Sequence, residues 1–110
     1  KVATPFGVSS VAQAAAVAAL QPEGVAHMRD SVDAAVAERD RMAAELREGG
    51  REVPDSQANF VWVAAADAQD LAARLDRNGL TVRVFPGEGI RVSIGPRGAN
   101  DRVLDVLSEP

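Results

Sequence analysis

Two short stretches late in the chain alternate apolar and polar residues with a period of two. Val82 and Val84 alternate with Arg83 and Phe85, and Ile90, Val92 and Ile94 alternate with Arg91 and Ser93. Each stretch predicts a strand with one aliphatic face. Keeping both aliphatic faces on one side requires an odd number of loop residues, because a slip of one residue would turn one strand inside out. A loop of Pro86, Gly87 and Glu88, with Gly87 at positive φ, meets that condition. The register then pairs Val84 with Ile90 and sets Arg83 directly opposite Arg91.

The rest of the chain reads as follows. Lys1 to Gly7 is a turn-prone lead-in. Ser9 or Ser10 caps a helix running to about Leu20 that is apolar on nearly every side, a pattern expected of a helix buried on several sides. Pro22 and Glu23 open a second helix to Glu48, stopped by Gly49-Gly50, with Val25, Met28, Val32, Val36, Ala43 and Leu46 as its expected buried stripe. About 26 helical residues span about 40 Å, more than the roughly 34 Å diameter expected of a compact domain of this size. A short strand is expected at Arg51 to Val53. Phe60 to Ala65 is apolar on both faces and reads as a central strand, with Trp62 as core or domain-interface packing. Asp67 caps a helix to about Asn78 that turns Leu71 and Leu75 inward and ends at Gly79. A last helix starts at Ala99 or Asn100 and buries Val103, Leu104, Val106 and Leu107.

This order predicts an α+β fold: a two-layer small domain with a mostly antiparallel sheet of about four strands and helices on one face, preceded by an Ala-rich helix and a long helix. Residues 1–20 read as a linker and interdomain helix, and 21–110 as the domain proper.

Composition narrows the function. The 110 residues form one domain at most, and the 46% of hydrophobic residues are largely alanine and aliphatic, so the core is built from small side chains. A net charge of −4 without a basic run argues against nucleic acid and against an anionic membrane surface. The chain has no cysteine, and its lone His27 makes no ligand cluster, so no metal site is expected. No apolar run reaches membrane-spanning length, and the default location is the cytoplasm.

The candidate chemistry lies in the opposed arginines. Like charges facing each other across a ladder are destabilising. The pair makes sense if an anion lies between the two guanidinium groups, which are suited to bidentate binding of carboxylate or phosphate. Arginines on the solvent face of a hairpin are also common without such a role, and Glu88 is placed to relieve part of the repulsion.

Four stretches, in order and spacing, resemble the C-terminal small domain of class II (fold-type I) pyridoxal-phosphate aminotransferases. They are Thr4-Pro5-Phe6-Gly7-Val8-Ser9-Ser10-Val11-Ala12-Gln13-Ala14-Ala15, Ser56-Gln57-Ala58-Asn59-Phe60-Val61, Val82-Arg83-Val84-Phe85 and Gly89-Ile90-Arg91-Val92-Ser93-Ile94-Gly95. The similarity is greatest to the histidinol-phosphate and aromatic amino acid (phenylalanine) branch. The resemblance implies a domain that closes over pyridoxal 5'-phosphate held mainly by a large domain preceding it, in a homodimer. It implies that Arg91 binds the α-carboxylate of the amino acid or 2-oxo acid, and that Arg83 is a second pocket arginine. The compact Phe85-Pro86-Gly87-Glu88-Gly89 connection looks more like the aromatic branch, and Phe85 then suits a pocket for an aromatic side chain or is a packing residue.

The departure from the family is the catalytic apparatus. Lys1, the only lysine, has neither the surroundings nor the position of the Schiff-base lysine, and the aspartate that pairs with the pyridinium nitrogen is absent. The resemblance therefore implies that this stretch alone neither binds the cofactor well nor transaminates. A small sheet with helices on one face also describes ligand-binding and interaction modules, in which the arginine pair would meet an acidic partner protein.

Overall fold

The computed structural model describes residues 7–108. They form two compact units that divide between Asp33 and Ala34. The first contains α1 (Ser10–Ala19) and the opening turns of α2 (Pro22–Glu48). Ser9 caps α1, its hydroxyl accepting the Ala12 N–H at 3.2 Å. No residue of α1 is buried, although its sequence is apolar on nearly every side.

The second unit holds the remainder of α2, then β1 (Phe60–Ala64), α3 (Ala68–Arg77), β2 (Arg83–Phe85), β3 (Gly89–Ser93) and α4 (Arg97–Ser108). The sheet is antiparallel in the order β1-β3-β2. Arg83 pairs with Arg91 and Val84 with Ile90, the register that the alternation predicts. The intervening loop is Pro86-Gly87-Glu88, with Gly87 at φ 76°. Val61 and Val63 of β1 and Ile90 and Val92 of β3 are buried against Met42 and Leu46 of α2, Leu71 and Leu75 of α3, and Val103 and Leu107 of α4. One sheet face therefore carries the core, and alternation places Phe60, Trp62, Phe85, Gly89, Arg83 and Arg91 on the other.

Several expectations need correction. The Phe60 strand is at an edge of the sheet, because β3 takes both of its neighbours and β1 has only one. The Arg51–Val53 strand is reduced to one bridge, Glu52 with Ala64, so three strands form the sheet rather than about four. In α2 the buried residues are Arg39, Met42, Ala43 and Leu46, whereas Met28, Val32 and Val36 are exposed and Val25 is half-buried. The apolar stripe is thus longer than the core it serves, which begins at Met42. Asp67 precedes α3 without a side-chain capping bond; its carbonyl instead accepts from Asp70 and Leu71.

The last helix begins at Arg97, ahead of the expected Ala99 or Asn100. Asn100 does not cap it. The side chain is buried and works as a clamp: its Oδ1 accepts the Gly95 N–H at 2.9 Å, and its Nδ2 donates to the Gly95 carbonyl at 2.8 Å and to Glu38 at 3.0 Å. Satisfying both amide ends removes the penalty of burying them. Glu38 also accepts from Arg41 at 2.7 Å and Arg97 at 3.0 Å, and Arg41 reaches Asp101 at 2.7 Å and Glu45 at 2.8 Å. This network ties α2 to α4 and to Gly95, two residues beyond β3.

The hydrogen bonds from Arg41 and Asn100, with the charges of Arg41 and Arg97, push the Glu38 carboxyl down to about 2 from an ordinary 4.5, against the opposing effect of burial. A lowered folded-state pKa contributes stability that is complete above the unfolded value and is lost as the pH falls through the folded one. The Glu38 contribution is therefore expected to disappear between pH 4.5 and about 2. Denaturant melts of the wild type and Glu38→Gln across this range test it. The wild-type advantage should shrink steadily toward the acid end, and a pH-independent gap would show that the carboxylate is not the source.

Candidate functional site

The free face of the sheet brings together two arginines and three aromatic rings. Across one row Trp62, Arg91 and Arg83 are neighbours on β1, β3 and β2. Neither opposed guanidinium has a carboxylate partner among the described residues, including Glu88. Arg39, Arg41, Arg47 and Arg97 elsewhere all pair with carboxylates. The Nε of Arg91 is buried and has no hydrogen-bond partner among the described residues. Leaving a charged donor in that condition costs about 1–3 kcal/mol or more, a cost that a bound anion would remove.

Aromatic rings hold the guanidinium groups in place of carboxylates. Arg91 lies over Phe60, 5.2 Å from the ring centroid, and Arg83 over Phe85 at 5.4 Å. A cation over a ring face is attracted by the ring quadrupole without losing its charge, so both arginines stay free to bind an anion. The ring of Trp62 meets Phe85 edge to face, with centroids 5.1 Å apart and planes at 64°. Trp62 reaches from β1 toward β2 by crossing the central strand at Gly89. A Cβ on Gly89 would lie 2.7 and 2.9 Å from atoms of the six-membered indole ring and 2.4 Å from the Val63 carbonyl oxygen.

The predicted site residues Arg83, Arg91 and Phe85 thus share one face, with Arg83 exposed and Arg91 and Phe85 half-buried. Phe60 and Trp62 belong to this face too, although Trp62 reads from the sequence as packing. The signal for them is in Phe60-Val61-Trp62-Val63, where aromatic and aliphatic residues alternate as in a strand with two different faces. The clamp residues Glu38 and Asn100 carry no comparable signal.

The donor set suits an organic anion with an aromatic part: guanidinium groups for a carboxylate, ring faces for the remainder. It does not suit covalent attachment of an aldehyde such as pyridoxal phosphate, because the described residues include no lysine; Lys1 and Thr4-Pro5-Phe6 lie outside them. No described helix is long and apolar enough to cross a membrane.

Comparison with known proteins identifies the family of the chain. The model of the family described as aminotransferase class I and II matches residues 1–107. An aromatic amino acid aminotransferase of Streptomyces avermitilis is 49% identical over 107 residues, 96% of this chain and 29% of that protein. The protein of the same name from Streptomyces coelicolor is 44% identical over 99% of this chain and 30% of its own length. A crystal structure from Burkholderia pseudomallei, of a protein assigned as an aminotransferase, superposes with a TM-score of 0.63 at 35% identity, covering 67% of this chain and 24% of that one. The chain therefore spans under a third of the length of these relatives, and on the match over nearly its whole length it belongs to the class I and II aminotransferase family.

Proposed function

We propose that this chain is the substrate-gripping small domain of a pyridoxal-phosphate-dependent aminotransferase that moves an amino group between an aromatic amino acid and a 2-oxo acid. The observation that carries the reading is the opposed pair Arg83 and Arg91, without counter-charge among the described residues and with the Arg91 Nε buried and unsatisfied. In this reading Arg91 binds the substrate α-carboxylate, relieving both the orphaned donor and the repulsion across the ladder. Arg83 is the second pocket arginine, and Phe85 lines the side-chain pocket. The names of the related Streptomyces proteins favour an aromatic substrate over histidinol phosphate.

Residues 21–110 form the small domain, and residues 1–20 lead to it from a large domain that holds the cofactor. The apolar yet wholly exposed α1 supports that arrangement. The full-length protein acts as a cytoplasmic homodimer. Pyridoxal phosphate supplies the electron sink that stabilises the carbanion formed at the substrate α-carbon. The residues described here fix the carboxylate end of the substrate and so orient the bond that must break.

The test uses the full-length protein. Bound pyridoxal phosphate should give it visible absorbance, and L-phenylalanine should diminish that absorbance at concentrations where L-histidinol phosphate does not. A protein that takes up no pyridoxal phosphate would overturn the reading, and preferential response to L-histidinol phosphate would move it to the other branch.

A further inference from the structure

We propose that Trp62 is a specificity-determining residue: the outer face of its indole receives the aromatic ring of the substrate whose carboxylate is held at Arg91. The inference rests on the function proposed above and adds to it the group that reads the substrate side chain. Three rings lie on the free face, and two are already covered by cations, Phe60 by Arg91 and Phe85 by Arg83. Trp62 has no such cover among the described residues. One side of its indole rests on Gly89, which has no side chain to hold it away from the sheet, and its position is limited by the edge-to-face contact with Phe85. The half-buried indole is thus fixed in orientation before any ligand arrives, so stacking on it costs little side-chain entropy.

Position agrees with this assignment. Trp62 is the direct cross-strand neighbour of Arg91 on the side away from Arg83. Their Cβ atoms are therefore about 5 Å apart; from there the guanidinium lies over Phe60 and the indole extends over Gly89 to Phe85, so a ligand held at one can span to the other. A carboxylate on Arg91 can therefore direct a ring onto the outer face of the indole, beside the Phe85 ring that Arg83 covers. An aliphatic side chain would gain contact area there but not the ring-on-ring term.

Two unreactive acids separate the effects in the full-length enzyme: 3-phenylpropionate and 4-methylpentanoate, which share a carboxylate and differ in the ring. Both are expected to compete with L-phenylalanine. Trp62→Leu should raise the inhibition constant of 3-phenylpropionate about tenfold, within the range of aromatic stacking losses on truncation, and leave that of 4-methylpentanoate within about twofold. Trp62→Phe keeps a ring over Gly89 and should retain most of the discrimination, and it decides the matter if the leucine variant melts at a much lower temperature. Equal weakening of both acids by Trp62→Leu, or no discrimination lost in either variant, would overturn the role of Trp62 while leaving the carboxylate site intact. Failure of both acids to compete in the wild type would overturn that site as well.

Discussion

Replacing Arg91 by alanine in the full-length protein is expected to lower kcat/KM for L-phenylalanine by about 100-fold or more, without lowering the melting temperature. The first part follows from the hydrogen bonds that the guanidinium gives the substrate. Hydrogen bonds to charged groups contribute about 1.5–3 kcal/mol each, and a two-pronged grip on a carboxylate involves two of them. The loss is therefore about 3 kcal/mol at the least, or roughly two powers of ten or more in rate constant. The second part follows from the protein without its ligand. Arg91 faces Arg83 across the ladder, has an unsatisfied buried Nε, and makes no ion pair among the described residues. Removing it relieves repulsion and an orphaned donor, against the loss of one cation–π contact with Phe60. A residue that costs stability when the site is empty, and is needed when it is filled, is characteristic of a binding site. Steady-state kinetics with thermal melts of the same variant check both halves. A large fall in melting temperature with only a proportionate loss of activity would mean that Arg91 is structural. Arg91→Lys retains the charge but not the planar fork, so it should recover only part of the lost activity.

Gly89→Ala is expected to be the most damaging small substitution in the sheet. The new methyl carbon would lie 2.4 Å from the Val63 carbonyl oxygen and 2.7 Å from the Trp62 ring, and the first of these is backbone that cannot rotate away. Accommodating it requires β1 and β3 to separate at the pair Ala64 and Gly89, next to the buried Val63 and Ile90. Overpacking of this kind costs about 1–3 kcal/mol and can exceed that range where the backbone must move. For a domain of about 100 residues each kcal/mol shifts the melting temperature by about 4–8 °C. Gly87→Ala provides the control. Gly87 has φ 76°, and a methyl carbon added there would meet no atom within 4 Å, so its cost is only that of a left-handed backbone, about 1–2 kcal/mol. Calorimetry should rank Gly89→Ala below Gly87→Ala. The reverse order would show that β1 and β3 adapt to a larger residue and that Trp62 is not held against Gly89.

The alternation in residues 82–94 determined the hairpin, its three-residue loop and the opposition of Arg83 to Arg91, because a two-residue period and a buried aliphatic face leave one register. Two helix ends were likewise legible from local chemistry: a cap for α1 at Ser9 or Ser10, of which Ser9 makes the bond, and Gly49-Gly50 after α2. Strand order was not legible. The apolar run at Phe60 reads as a central strand and forms an edge, since periodicity reports which residues share a face and not how many strands lie alongside. Tertiary pairing made β3 the centre, and so placed Trp62 and Phe60 beside Arg91. The exposed Met28 and Val32 failed as core predictions for a related reason: an apolar stripe records that a helix is to be covered, not what covers it. Contacts between residues distant in sequence, such as Glu38 with Asn100 or Trp62 over Gly89 toward Phe85, leave no periodic trace, because each depends on two or three side chains meeting once. The sequence by itself determined the arginine pair and the face it occupies; only the tertiary structure decided which rings flank that pair and left one of them open.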